Sequence, residues 1–194
     1  FPAGKKIACL FTHVSWDLTF ELSKMIFDNA NHWLSESMEA IFKNENVNWI
    51  IRVHPGEKVS GSLYTNDDFI KDHFKNIPPH VKILWSDSEI NSLGLYKLID
   101  VGITLFGTMG VELPLLGKPV ISGGEAHFTG KGFTIDAKTK EEYFRLLGSI
   151  ENISPVSNDM ILVARKYAYS YFVQRQIPLK VINKEEGHFG NLDI

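Results

Sequence analysis

Asp100-Val-Gly-Ile-Thr-Leu-Phe-Gly-Thr-Met-Gly-Val-Glu-Leu-Pro-Leu-Leu-Gly-Lys-Pro-Val-Ile121 reads as a strand, a glycine-rich turn, a short helix and a second strand. Val101, Ile103 and Leu105 alternate, Gly107-Thr108-Met109-Gly110 breaks the pattern, and Val111, Leu113, Leu115 and Leu116 supply an apolar helix face. Gly117 and Pro119 end that helix before Val120 and Ile121 re-enter a sheet. Pro114 is irregular, because beyond the first turn it removes one helical hydrogen bond. A turn of this kind leaves amide N–H groups open at a helix start, where negative charge is favoured. Gly107 and Gly110 would let an anion approach the backbone, with the Met109 amide between them. Thr108 can cap the helix and offer its hydroxyl, and Glu112 can accept from a ribose. The same residues also read as an ordinary capped turn.

Working outward, Ile7 to Phe11 is a continuous apolar run behind two lysines, as in a strand buried on both faces. It stops at Thr12-His13-Val14-Ser15-Trp16-Asp17. Ligands of open α/β sheets collect at the carboxyl ends of strands, so His13, Ser15 and Asp17 are candidates for a site wall. A surface loop with Trp16 packed on the domain is the plainer reading. A helix beginning between Asp28 and Asn31 carries Trp33, Leu34, Met38 and Ile41 on one face. The next strand, Val47 to Val53, runs into His54-Pro55. Proline cannot join a ladder and drives the residue before it into extended conformation, so His54 is held at a strand's carboxyl end. An imidazole there can donate to a phosphate oxygen or pass a proton to a leaving phosphate; it can also simply satisfy a turn. Arg52, inside the strand, reads as structural.

Asn66 is the expected cap of a helix from Asp67 to Phe74, and Val81 to Trp85 is the third strand. Ser86, Asp87 and Ser88 either line a nucleoside pocket or belong to the capped start of a helix from Ser92 to Leu98. Ser122 to Gly132 holds four glycines with Glu125, His127 and Lys131, so His127 can reach a sugar or phosphate, or the segment is a flexible connection. Thr139 and Glu142 form a capping box over Tyr143, Phe144 and Leu147. Ser154-Pro155 opens a last helix with Met160, Ala164, Tyr167, Ala168 and Tyr171 on one face, packed on the core or on a further domain. The alternation predicts a Rossmann-like three-layer α/β/α domain with a mainly parallel sheet over residues 1–180, and a polar tail over 181–194.

The totals remove several classes. With 194 residues the chain can bury a real core, and 44% hydrophobic with 22% charged residues is a globular composition. A net charge of -3 gives no electrostatic footprint for nucleic acid. The one cysteine, Cys9, excludes an internal disulfide and reads as a core thiol. No apolar run approaches the ~20 residues of a membrane span, so a cytoplasmic protein is expected. No Asp-x-Asp pair is spaced for a metal-dependent transferase, and His13, His54 and His127 have no ligand spacing, so neither a metal nor another cofactor is expected.

Taken together, Val47-Asn48-Trp49-Ile50-Ile51-Arg52-Val53-His54-Pro55-Gly56-Glu57 and Gly107-Thr108-Met109-Gly110-Val111-Glu112-Leu113-Pro114-Leu115-Leu116-Gly117-Lys118-Pro119-Val120 resemble the capsule polysaccharide biosynthesis proteins. Trp16-Asp17 and Lys131-Gly132-Phe133-Thr134 extend the resemblance, which runs from about Lys5 to Tyr171. It implies one half of a GT-B glycosyltransferase, the carboxyl-terminal half that holds a nucleotide-activated sugar, a CMP-sugar first. Bacterial sialyltransferases and Kdo transferases pair a similar His-Pro with a downstream Ser/Thr turn. By that likeness His54, Pro55, Thr108 and the amides from Gly107 to Gly110 bind the donor phosphate, His54 acts in catalysis, and Glu112 binds ribose. The turn here has one hydroxyl, Thr108, where relatives often have two. The chain begins at Phe1, and an amino-terminal acceptor half with the general base is expected to be missing, so this chain alone should bind donor weakly and turn over little or nothing. The acceptor, a polysaccharide or glycolipid, would meet that missing half, and any contact with a membrane capsule-assembly complex would be peripheral at the inner membrane. CDP-glycerol phosphotransferases, GT-B sugar-nucleotide epimerases and a non-catalytic interaction domain are the alternatives.

Overall fold

Ala8, Cys9 and Leu10 are buried on both sides of strand β1 (Ile7–Phe11), as a continuous apolar run in a parallel sheet requires. The computed structural model describes residues 1, 3–14, 25–58 and 63–175. Chain order is β1, α1 (Ala30–Lys43), β2 (Asn48–Arg52), α2 (Asn66–His73), β3 (Val81–Leu84), α3 (Ser92–Leu98), β4 (Val101–Thr104), α4 (Met109–Leu115), β5 (Val120–Ser122), β6 (Ile135–Asp136), α5 (Lys140–Gly148) and α6 (Asn158–Tyr169). The strands form one all-parallel sheet in the order β3-β2-β1-β4-β5-β6. β1 pairs Phe11 with Arg52 on one side and Leu10 with Ile103 on the other. The expected Rossmann-like three-layer domain is the fold observed, with every strand pair parallel.

Alternating strand residues feed two cores. Leu10, Trp49, Ile51 and Ile103 pack under α1 and α5, and Cys9, Phe11, Ile50 and Val120 pack under α3 and α4. Cys9 is a free, buried thiol. Burial raises it well above the usual thiol range, with Arg52 opposing. Across the first core Trp33 Nε1 donates to the Tyr143 hydroxyl at 2.9 Å, and Ser37 lies 2.8 Å from the same oxygen, joining α1 to α5. These buried polar groups are satisfied, so they add specificity without an orphan.

Three local expectations need correction, and one strand was not anticipated. Thr65, not Asn66, caps α2, forming a reciprocal box with Asp68, and Asn66 is the first helical residue. α6 starts at Asn158 under a Ser157 cap, later than Ser154-Pro155. β6, two residues long, is too short to show a period in the sequence and emerges only from its pairing with β5. The segment from Ser122 to Gly132 is internally bonded, with Ser122 Oγ donating to the Leu105 and Gly124 carbonyls and Thr129 Oγ1 to Gly124 O, so it is not a loose connection. Ser15, Trp16, Asp17 and the tail over 181–194 lie outside the described residues.

α4 ends as expected: the Gly117 N–H bonds Pro114 O at 3.0 Å and the Lys118 N–H bonds Leu113 O at 3.1 Å, with Gly117 at φ 76°. Its start is governed by packing. A Cβ on Gly110 would lie 2.2 Å from Phe128 Cζ, and Phe128 is fully buried with Val111, Phe133 and Ala164. Gly110→Ala is expected to lower the unfolding free energy by about 1–3 kcal/mol, the range for overpacking. Thermal unfolding checks this, and the cost should shrink when Phe128 is replaced by Ala in the same chain.

Candidate functional site

The strand order brings the carboxyl ends of β2, β1 and β4 side by side, and the segments leaving them wall one cleft of about 890 Å³. Thr12 and His13 come from β1, His54 and Pro55 from β2, and Phe106, Gly107, Thr108 and Met109 from β4. Tyr96 on α3, Glu112 on α4, and Glu125 and His127 after β5 complete the wall.

His54 is exposed, and its backbone N–H donates to Thr12 Oγ1 at 3.0 Å. Its Nδ1 accepts from the Gly56 N–H at 3.0 Å. A nitrogen that accepts from an amide carries no proton, so the neutral ring keeps its proton on Nε2. That is the tautomer needed to donate to a phosphate oxygen. The turn-satisfying reading of His54 and the donor reading therefore describe opposite edges of one ring. Glu57, buried three residues after His54, accepts from Asn66 Nδ2 and fastens this turn to α2.

In the turn after β4 the Phe106 N–H donates to His13 Nε2 at 3.0 Å and the Gly107 N–H to Thr104 Oγ1 at 3.1 Å. The Gly110 N–H turns back to Gly107 O at 2.9 Å. Among the described residues nothing accepts from the Thr108 or Met109 N–H. α4 has only seven residues and contains Pro114, so its dipole adds little, and two local amides are what the turn offers an anion. Thr108 has helical dihedrals and makes no cap bond; its hydroxyl donates to Glu112 Oε1 at 2.9 Å, one turn ahead. Gly110 packs under Phe128 on the side where a Cβ would stand and is not part of the cleft wall. Tyr96 shares the cleft wall with Glu112, and its pKa is raised by burial first and then by that carboxylate.

His13 Nε2 accepts the Phe106 amide and stands 3.2 Å from Thr104 Oγ1, so its ring is neutral with the proton on Nδ1. Burial, then the neighbouring His54, lower its pKa to about 4. His127 Nδ1 lies 2.8 Å from the Tyr167 hydroxyl, which itself donates to His127 O at 2.7 Å. The imidazole stacks on Tyr171 at 4.1 Å between centroids, and burial lowers its pKa. The aromatic face made by Tyr167 of α6 and by Tyr171 just beyond it is thus occupied by a cleft residue.

Ser86, Asp87 and Ser88 do not wall the cleft. Ser86 N–H is bound by Asp67 and Ser88 N–H by Trp85 O, while Asn91 caps α3. Arg52 Nη1 donates to Trp85 O at 2.7 Å and anchors that segment, in keeping with a structural arginine, although it also borders the cleft. Tyr96 is a cleft residue that the sequence reading missed, whereas Thr12 opens the loop read as a candidate site wall. Thr12 had one usable signal, as the first residue beyond the central strand. His13, His54 and His127 share the cleft wall, yet among the described residues no three or more His, Cys, Asp or Glu gather closely enough for a metal ion. Nor is any described helix long and apolar enough to cross a membrane.

No family model matches the sequence, and no curated protein does. Solved structures share the fold. The beta Kdo 2,4 transferase of Thermosulfurimonas dismutans KpsC aligns with 84% of this chain and 44% of its own, at TM-score 0.55 and 21% identity. Sucrose-phosphate synthase from Thermosynechococcus elongatus aligns over 86% and 42%, at TM-score 0.54 and 13% identity. The UDP-GlcNAc 2-epimerase of Methanocaldococcus jannaschii, solved with UDP-GlcNAc and UDP, aligns over 84% and 45%, at TM-score 0.50 and 17% identity. The chain therefore spans less than half the length of each, and its fold is that of a Rossmann-like half of GT-B structures.

The neutral His13 makes stability depend on pH. An unfolded imidazole titrates near 6.5 and the folded one near 4, so protons favour the unfolded chain. Stability is full above the unfolded value and falls as pH drops toward the folded one. The loss from this group between pH 7.5 and 4.5 is expected to be about 2 kcal/mol. Urea unfolding of the parent and His13→Gln at both pH values isolates it, since His54 and Glu57, the other titratable groups nearby, are common to both.

Proposed function

We propose that this chain is the donor-binding half of a glycosyltransferase of surface or capsular polysaccharide synthesis, and that the cleft holds a nucleotide-activated sugar. One observation carries the reading: the Nε2–H edge of His54 and the open amides of Thr108 and Met109 belong to one cleft, at the strand ends where open α/β sheets take ligands. The fold likeness to two Kdo transferases of Thermosulfurimonas dismutans KpsC supports it. In this reading His54 donates to the phosphate oxygen that gains charge as the bond to the sugar breaks, and the two amides hold the same group. Glu112 accepts from the ribose. The phosphate charge is met by imidazole and amides, with no metal. An acceptor polysaccharide or glycolipid, and the base that deprotonates it, would come with a second half, on the cytoplasmic side and peripheral to a membrane assembly.

The charge of the wall favours a CMP-sugar within this reading. Among the described wall residues there is no lysine, Arg52 is engaged by backbone carbonyls, and Glu112 and Glu125 add negative charge. A single phosphodiester carries one negative charge, where a diphosphate linkage would bring two into the same wall. The fold likeness to UDP-GlcNAc 2-epimerase supports a second reading, a sugar-nucleotide epimerase that needs no acceptor.

Calorimetric titration with CMP, CDP and UDP tests the site. CMP is expected to bind saturably and more tightly than UDP. His54→Ala should weaken CMP by about tenfold to a hundredfold, as for a lost charge-assisted bond. Thr108→Val should act less, because its hydroxyl is already given to Glu112. Absence of binding to all three at millimolar concentration would overturn the donor reading; tight UDP binding, with epimerised product and no acceptor, would favour the epimerase.

A further inference from the structure

We infer that Thr12 and His13 form a positioning clamp that sets the spacing between the His54 turn and the turn at Phe106–Gly107. Its consequence for binding rests on the donor-site reading; its geometry does not. β1 lies between β2 and β4, so the two residues following it emerge between the turns that follow those strands. Thr12 stays tied to β2 through its own N–H, which donates to Arg52 O at 3.0 Å. Its hydroxyl then reaches one wall, accepting the His54 N–H at 3.0 Å. His13 reaches the other, with Nε2 accepting the Phe106 N–H at 3.0 Å beside the Thr104 hydroxyl that holds Gly107.

The backbone of the dipeptide is fixed as well. His13 O accepts from Asn66 Nδ2, the same amide that reaches Glu57 at the end of the His54 turn. One asparagine thus ties β1's exit to the His54 wall, while the imidazole ties it to the opposite wall. A surface loop would turn these polar groups to water. Here each is used on a neighbouring wall, and Phe106 N–H, which can only donate, requires an unprotonated Nε2. His13 and His54 consequently hold opposite tautomers: the proton is on Nδ1 in His13 and on Nε2 in His54.

Long-range proton–nitrogen spectra of the imidazoles read both tautomers in the unaltered chain. His13 with its proton on Nδ1 at pH 7, and His54 with its proton on Nε2, is the expected result; a proton on Nε2 of His13 overturns the clamp. Four variants give the second arm. Thr12→Val and His13→Leu remove the acceptors, whereas Thr12→Ser and His13→Gln keep them. The first pair should weaken CMP at least about tenfold and the second less than about threefold, as for loss or retention of one hydrogen bond. Amide shifts should move at His54 in Thr12→Val and at Phe106 and Gly107 in His13→Leu. Unchanged CMP affinity and unchanged amides in both acceptor-less variants overturn the clamp. Expected tautomers and amide shifts, with no CMP binding even in the parent chain, uphold the clamp and remove the donor reading instead.

Discussion

Everything at the cleft depends on where β1 sits. A parallel sheet that begins at its centre must send its next two strands to one side and the following ones to the other, and here β2 and β3 go one way and β4 to β6 the other. The strand order reverses between β1 and β4, and the cleft lies at their carboxyl ends. Burial on both faces suits Ala8, Cys9 and Leu10 to an interior strand, and the pairing of β1 with both β2 and β4 sets the place of the cleft.

Close packing then sets how near the walls stand. A Cβ on Gly102 would lie 2.4 Å from Leu113 Cδ1 and 2.6 Å from Met109 Cε, so a bare β4 is what lets α4 lie against the sheet. Gly110 does the same on the other side of α4 for Phe128. The glycines of the central stretch therefore serve the hydrophobic core first. The cleft inherits its shape from that packing, through Met109, which borders both the core and the wall.

This explains which parts of the site could be read from the chain. Long or strongly patterned elements were legible: α1 begins after Asn29, inside the expected window, and α3 runs from Ser92 to Leu98 as expected. Pro55 marked where β2 must stop, so the position of His54 followed from one local rule. The role of Gly110 was not legible, because Gly-x-x-Gly is the same string whether an anion or a phenyl ring approaches it. Thr65 and Asn66 are both good caps on paper, and the choice fell to Thr65 because Asn66 is drawn inward by His13 and Glu57. The bond Thr12 makes was not legible for the same reason, since its partner is 42 positions away. Local chemistry shows in sequence, and pairing across strands does not.

The electrostatics of the wall give the last step. A cleft rich in lysine would hold an anion loosely in many poses, because an ammonium charge has little directionality. Here the cation bordering the site, Arg52, is drawn off to the carbonyl of Trp85, and His13 is kept neutral by burial. The donors the proposed site would turn to an anion are dipoles: the His54 N–H, set by the bond from Gly56 to Nδ1, and the Thr108 and Met109 amides of the turn that His13 and Thr104 hold. Dipoles bind only at the right angle and distance. A wall built this way trades general attraction for geometry, and geometry must be held. The bonds from Thr12 and His13 to the two turns are what such a wall requires, and they occur at the one place in the sheet from which both turns can be reached.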